Sequence, residues 1–188
     1  MTAGHRSSKS NRDGEAAIIG TIKTMKLEIS LKMVASVPVR TQRTWQRKWR
    51  DVEHAHGSLV EVYQGDGVNA DDFVRRIETF FKTCHELADW IHRDTGRRAA
   101  FDYVRKAPTL MLCDAVAQTA KHHTRHQPGK DPITAVVNEI FSDEAGKRAE
   151  IMWTSSSGSG KDDALDLANR CIAEWEKFFQ ENNLDPAG

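Results

Sequence analysis

Nowhere in these 188 residues does an apolar run approach the roughly 18 residues that a membrane-spanning helix needs. The polar N-terminus, MTAGHRSSKSNRDGE, is not followed by the apolar region of a secretory signal. Cysteine is scarce: Cys84, Cys113 and Cys171 are odd in number, far apart, and each sits inside a helix-like apolar pattern. That usage excludes a disulfide framework and predicts reduced core thiols in place of a zinc site. Net charge is also lacking, because 27 basic residues balance 27 acidic ones. A strongly basic nucleic-acid binder is therefore not indicated globally, although a local basic face stays open. No internal repeat recurs at a fixed period. The expectation is a cytoplasmic protein with no membrane partner, no cofactor and no metal.

What is present is ordinary for a globular chain: 39% hydrophobic and 29% charged residues. The length fits one domain plus a tail and suffices to bury a core without disulfide or metal staples. Residues 1–25 are expected as a disordered tail, since their first 15 positions are Ser, Gly and charge without periodicity. Residues 26–184 are expected as a single domain. It opens with KLEISLKM at 26–33, whose strict alternation is that of a half-buried strand. A start at Met25 or Met33 would make this strand partly an artefact of the reading frame.

From Thr41 the period changes. Trp45, Trp49, Val52, His56, Leu59 and Tyr63 form one stripe of a helix that Gly57 weakens and that Gln64-Gly65-Asp66-Gly67 ends. Asn69 or Asp71 caps the next helix, with Phe73, Ile77, Phe80, Cys84, Leu87 and Ile91 as its core stripe. A short helix at 97–106 follows. Pro108 then opens another, where its missing N–H costs nothing; its stripe is Leu112, Ala115, Val116, Thr119 and His123. Residues 132–141 and 147–154 are rich in β-branched and aromatic residues around a turn at 142–146, which predicts a β-hairpin. After a flexible Ser155–Gly160 loop, Asp162 or Asp163 caps a last helix carrying Ala164, Leu167, Ala168, Cys171, Trp175, Phe178 and Phe179. The fold class is mainly α: a bundle of four to five helices with a β-hairpin inserted before the last.

Four polar features are candidates for chemistry. The loop SSSGSGKDD enters a helix, as phosphate-binding loops do. Ser155, however, stands where a P-loop needs its first Gly, and Asp162 stands where Ser or Thr would ligate magnesium. A connector explains it. Arg43, Arg47, Arg50 and His54 line one face of the first helix, where they could track a phosphate backbone or form a solvated face. His56, His85 and His123 lie on or beside apolar stripes and need hydrogen-bond partners if buried. His85 and Asp89 share a face at one-turn spacing, and with Asp114 and His123 they make a candidate polar network. Lys121, His122, Arg125 and His126, with His123, form a cationic cluster at a helix C-terminus, suited either to the helix dipole or to an anion.

Three motifs occur in order: Phe81-x-x-Cys84-His85-x-Leu87-x-Asp89-Trp90-Ile91; Cys113-Asp114 followed by Lys121-His122-His123; and Cys171-Ile172-x-x-Trp175-x-x-Phe178. Over residues 70–182 the pattern resembles a group of uncharacterised bacterial proteins associated with phages and mobile elements. The second motif of that group reads Cys-Asp-x-Ala-Asn-x-x-Lys-His, and this chain has Ala117-Gln118 in place of Ala-Asn. The helical layout more distantly resembles HEPN domains, bundles that often cleave RNA without metal using an Arg and a His with four to six residues between them. The pairs that fit are Arg50…His56 and Arg47…His54.

Two functions follow as expectations. The first is a non-enzymatic accessory or interaction module of a bacterial mobile element, with a protein partner or a second copy of itself, and its polar groups structural. The alternative is a HEPN-like ribonuclease of toxin type acting on RNA. Its candidate catalytic residues are Arg50, His56, Lys121 and His123, with a His as base and a cation stabilising the phosphorane.

Overall fold

Thr44 begins the first helix, its hydroxyl accepting from the Arg47 N–H, which satisfies one of the donors that every helix start leaves open. The computed structural model describes residues 44–65, 68–122, 133–143 and 146–187. Helix α1 runs Trp45–Gln64, and a second open donor, the Trp45 N–H, is taken by the Asp94 carboxylate at 3.2 Å. Gly57 does not interrupt α1; it is exposed, and a Cβ there would meet nothing within 4 Å. Helix α2 (Ala70–Thr95) is capped by the Asn69 side chain on the Asp72 N–H. It stops at Gly96, whose φ of 69° closes the last turn onto the His92 carbonyl in a conformation costly for other residues. Helices α3 (Ala99–Lys106) and α4 (Pro108–His122) follow.

Strands β1 (Thr134–Asp143) and β2 (Gly146–Ser155) form the expected hairpin, β1 shifted two residues toward the turn and β2 extended by one residue at each end. Between Val137 and Glu139 the register shifts, leaving Asn138 unpaired in the ladder. This bulge switches the inward face of β1 from odd positions (Ala135, Val137) to even ones (Ile140), so alternation along the whole segment fails. On β2, Ala149, Ile151 and Trp153 face the core.

Beyond Ser155 the structure departs from the flexible loop that its Ser and Gly content suggests. The chain turns over Ser156-Ser157 and returns as a third antiparallel strand, β3 (Gly158–Asp163), giving the order β1-β2-β3. GSGKDD has almost none of the residues that favour strands. It pairs because Trp153 lies across Gly160, where a Cβ would come within 2.5 Å of the indole, and because the indole N–H donates to Asp162 at 2.9 Å. Asp163 then caps α5 (Ala164–Glu181) through bonds from the Leu165 and Asp166 N–H groups.

The core sits where α2 packs against α1, α3, α4 and α5, with the sheet covering α4, α1 and α5. Phe73, Ile77, Phe80, Phe81, Cys84, Leu87 and Ile91 are all fully buried, so the stripe read from periodicity is the interior face of α2. Trp45 and Trp49 close on Phe179 at centroid distances of 5.1 and 5.0 Å, and Trp175 meets Phe178 edge-on at 5.6 Å. The described residues thus form a mainly α structure of five helices with a small antiparallel sheet before the last. The expected tail (1–25) and strand (26–33), and with them Arg43, His123, Arg125 and His126, lie outside the described residues.

The two glycine environments predict opposite responses in urea denaturation. Gly57→Ala should stabilise by up to about 1 kcal/mol through helix propensity. Gly160→Ala should destabilise by about 1–3 kcal/mol, because Trp153 must leave its position.

Candidate functional site

Helices α2 and α4 meet with two dipeptides face to face: Cys84-His85 on one and Cys113-Asp114 on the other. Their first members point inward and their second members line the rim. At the rim, His85 Nδ1 lies 3.0 Å from Asp114 Oδ1. The Gln118 amide nitrogen lies 3.3 Å from His85 Nε2 and 3.3 Å from Asp114 Oδ1. One proton arrangement satisfies all three contacts: the imidazole carries its proton on Nδ1 and donates it to Asp114. Gln118 then spends its two N–H groups on the other ring nitrogen and on the carboxylate. His85 therefore pairs across to α4 and not along its own helix, and Asp89 is exposed outside the group. Gln118 is a member of the set.

Beside it, Glu86 accepts from Lys48 Nζ at 2.7 Å and from Lys121 Nζ at 3.2 Å, tying α1 to α2 and α2 to α4. Burial would raise the Glu86 carboxyl, but the two ammonium groups outweigh it and hold the carboxyl below its usual range. Lys48 is itself buried, with its ammonium 5.8 Å from the Trp90 ring centroid. Lys121 is thus committed to a carboxylate and is not a free anion-binding cation. His122 is exposed at the end of α4.

Inward of this rim, Cys84, Cys113 and Cys171, from α2, α4 and α5, place their sulfur atoms within 4.8 Å of one another. All three are buried, as read from their apolar surroundings, but they are not dispersed. The Cys113 thiol donates to the Phe81 carbonyl at 3.7 Å and the Cys171 thiol to the Thr109 carbonyl at 3.9 Å. Trp175 Nε1 is buried with no partner in good hydrogen-bond geometry, yet it lies near enough to favour a Cys84 thiolate. The neighbouring Cys113 and then Cys171 thiols hold the Cys84 thiol well below its usual range against the effect of burial. The Cys113 thiol is pushed up, first by its bond to Cys171, and the Cys171 thiol is pushed up by burial.

The ribonuclease candidates are not gathered in this way. His56 Nε2 lies 2.7 Å from the Asn169 side-chain oxygen on α5, and its ring packs 5.8 Å from that of Phe80. Arg50 is exposed about 240° around α1 from it. His54 and Lys48 line an open groove of about 520 Å³ with Asp51, Ser58, Arg75 and Arg76. Its cations are paired within the fold: Arg75 with Asp72, Arg76 with Asp72 and the Ser58 hydroxyl, and Lys48 with Glu86. A larger cleft of about 660 Å³ lies between the sheet and the start of α5. At its base, the Tyr63 hydroxyl donates to Asp163 at 3.2 Å and accepts from the N–H groups of Ala149 (3.2 Å) and Leu165 (3.1 Å). Burial, and after it the Asp163 carboxylate, raise the Tyr63 phenol far above its usual range against the two N–H bonds it accepts, so the hydroxyl keeps its proton and serves as a structural hub.

Cys84, His85, Cys113, Asp114 and Cys171 were named from sequence; Lys48 and Glu86 were not, and Tyr63 and Trp175 were read only as apolar-stripe positions. Their signal, a polar atom on a stripe destined for burial, emerges only once the neighbouring helix is known. Compared with protein-family models, with curated proteins and with solved structures, the chain matches none.

The rim predicts an asymmetry between two carboxylates on adjacent helices. Asp114→Ala should cost about 1–3 kcal/mol in urea denaturation, because the His85 N–H loses its acceptor. Asp89→Ala should stay within about 0.5 kcal/mol of wild type. Equal costs would mean that His85 is not held by Asp114.

Proposed function

We propose that this chain is a non-enzymatic helical accessory or interaction module. The observation that supports the reading best is that two of its four candidate catalytic groups, His56 and Lys121, and the network residue His85 are committed to partners within the fold. His56 is held by Asn169 and Phe80, away from Arg50; Lys121 is held by Glu86; His85 is held by Asp114 and Gln118. A general base must reach the proton it removes, and a cation must reach the same scissile phosphate. Arg50 and His56 stand about 120° apart around α1 by the shorter way, and the His56 ring is turned to Asn169 and Phe80. The further assignment to a bacterial mobile element rests on the motif resemblance alone.

An interaction module needs a surface that folding does not use. Phe141 and Met152 are the large hydrophobic side chains left exposed among the described residues, at 42% and 39%. They lie on β1 and β2, on the face of the sheet opposite Ala149 and Ile151. Arg148 is the β2 partner of Phe141 in the ladder and is also exposed. Apolar side chains beside an exposed cation suit a protein partner.

Total RNA incubated with the purified chain in EDTA should remain intact, and His56→Ala and Arg50→Ala should change nothing. Cleavage by the wild type that is lost in a folded His56→Ala variant would replace this reading with the ribonuclease. Phe141→Asp and Met152→Asp should each leave unfolding free energy within about 0.5 kcal/mol of wild type, as expected for side chains that contribute little to the core. A loss of several kcal/mol would make these residues structural and withdraw the surface.

A further inference from the structure

The three thiols at the junction of α2, α4 and α5 have more in common than burial. They form a closed set: sulfur atoms from three helices, each within 4.8 Å of the other two. Among the described residues no His nitrogen or carboxylate oxygen joins them, since His85 and Asp114 turn to each other at the rim. Bonds from thiolate to a soft ion are about 2.3 Å, which places sulfur atoms sharing one ion about 3.5–4 Å apart. Each pair therefore needs to close by about 1 Å or less, within reach of small side-chain rotations. Trp175 Nε1 is fully buried beside Cys84 without a partner of its own, and a sulfur that has exchanged its proton for a bond to a bound ion would offer a lone pair as its acceptor.

Ligand number and charge narrow the occupant. Zinc in a structural site takes four protein ligands, and among the described residues three donors converge here. Charge is the second criterion, because the core cluster around these thiols is lined by apolar residues such as Phe80, Phe81, Leu112 and Leu167. A monovalent ion with three thiolates would leave two negative charges there, and a divalent ion would leave one. Unpaired charge in such a medium is expensive. A trivalent ion that accepts three sulfurs and no fourth ligand leaves none.

We propose that Cys84, Cys113 and Cys171 form a three-coordinate site for a trivalent thiophilic metalloid of the arsenite class. The exchange balances without an oxidant or reductant. Arsenous acid loses its three hydroxyl groups as each takes the proton of one thiol, three As–S bonds form, and three waters leave. The product is neutral and presents mostly apolar surface, which suits this interior. Because the thiols are buried, entry requires the helices to part locally, so uptake is slow and accelerates in mild denaturant.

The test is native mass spectrometry and thermal unfolding of the reduced full chain incubated with sodium arsenite, with Zn(II) and Cu(I) titrations alongside. The expected result is one arsenic per chain, a mass gain of one arsenic less three hydrogens, and a melting temperature that rises with arsenite concentration. Cys84→Ala, Cys113→Ala and Cys171→Ala, each first shown to be folded by near-ultraviolet circular dichroism, should bind at least tenfold more weakly. Should one of them fail to fold, the other two and the melting shift of the wild type carry the test. Unchanged binding in the folded variants would overturn the proposal. So would arsenic uptake by the urea-unfolded chain that refolding expels. Tight Zn(II) or Cu(I) binding at these thiols with none of arsenite would refute the charge argument and with it the assignment.

Discussion

The apolar stripe of α2 has to be covered along its whole length, and the rest of the molecule is arranged by that requirement. Phe73 to Ile91 spans about five turns of helix, and no single neighbour can shield both sides of it. Helix α1 covers one flank and α4 the other, while α3 and α5 also pack against α2. Burial of each large side chain on the stripe contributes about 1.5–3 kcal/mol before entropy is subtracted. The stripe is therefore the main source of cohesion, and the polar groups decide which neighbour sits where.

Those polar groups act as register marks. Glu86 is reached by Lys48 from α1 and Lys121 from α4, and His85 by Asp114 and Gln118 from α4. Tyr63, at the end of α1, fixes both β2 and the first turn of α5 with one hydroxyl. Slippage of any helix by one turn would break several such contacts at once, leaving half-buried polar atoms unpaired. The same commitment removes these side chains from the list of groups free to do chemistry. What escapes it is the solvent face of the sheet at one extreme and the thiol cluster at the other.

How much of this could be read in advance differs by element. The bounds of α1, α2 and α5 were close to legible, because a cap such as Asn69 or Asp163 and an apolar period act within a few residues. The third strand was not. GSGKDD owes its extended form to Trp153 on the neighbouring strand, and Gly160 looks like a loop residue until the indole above it is seen. Likewise, His85 had a plausible partner at Asp89 on its own helix, and the nearer carboxylate proved to be Asp114 on another. Spacing along one helix places side chains on a face, whereas the choice among partners depends on how the next helix crosses it.

The thiols show the division most clearly. Sequence alone indicated that Cys84, Cys113 and Cys171 would each be buried, because each sits inside a helix-like apolar pattern, which is a local property of the chain. Nothing local relates three cysteines on three separate helices. Their convergence was decided by the rotation and depth at which α4 and α5 pack onto α2, which depend on the shapes of all the side chains between them.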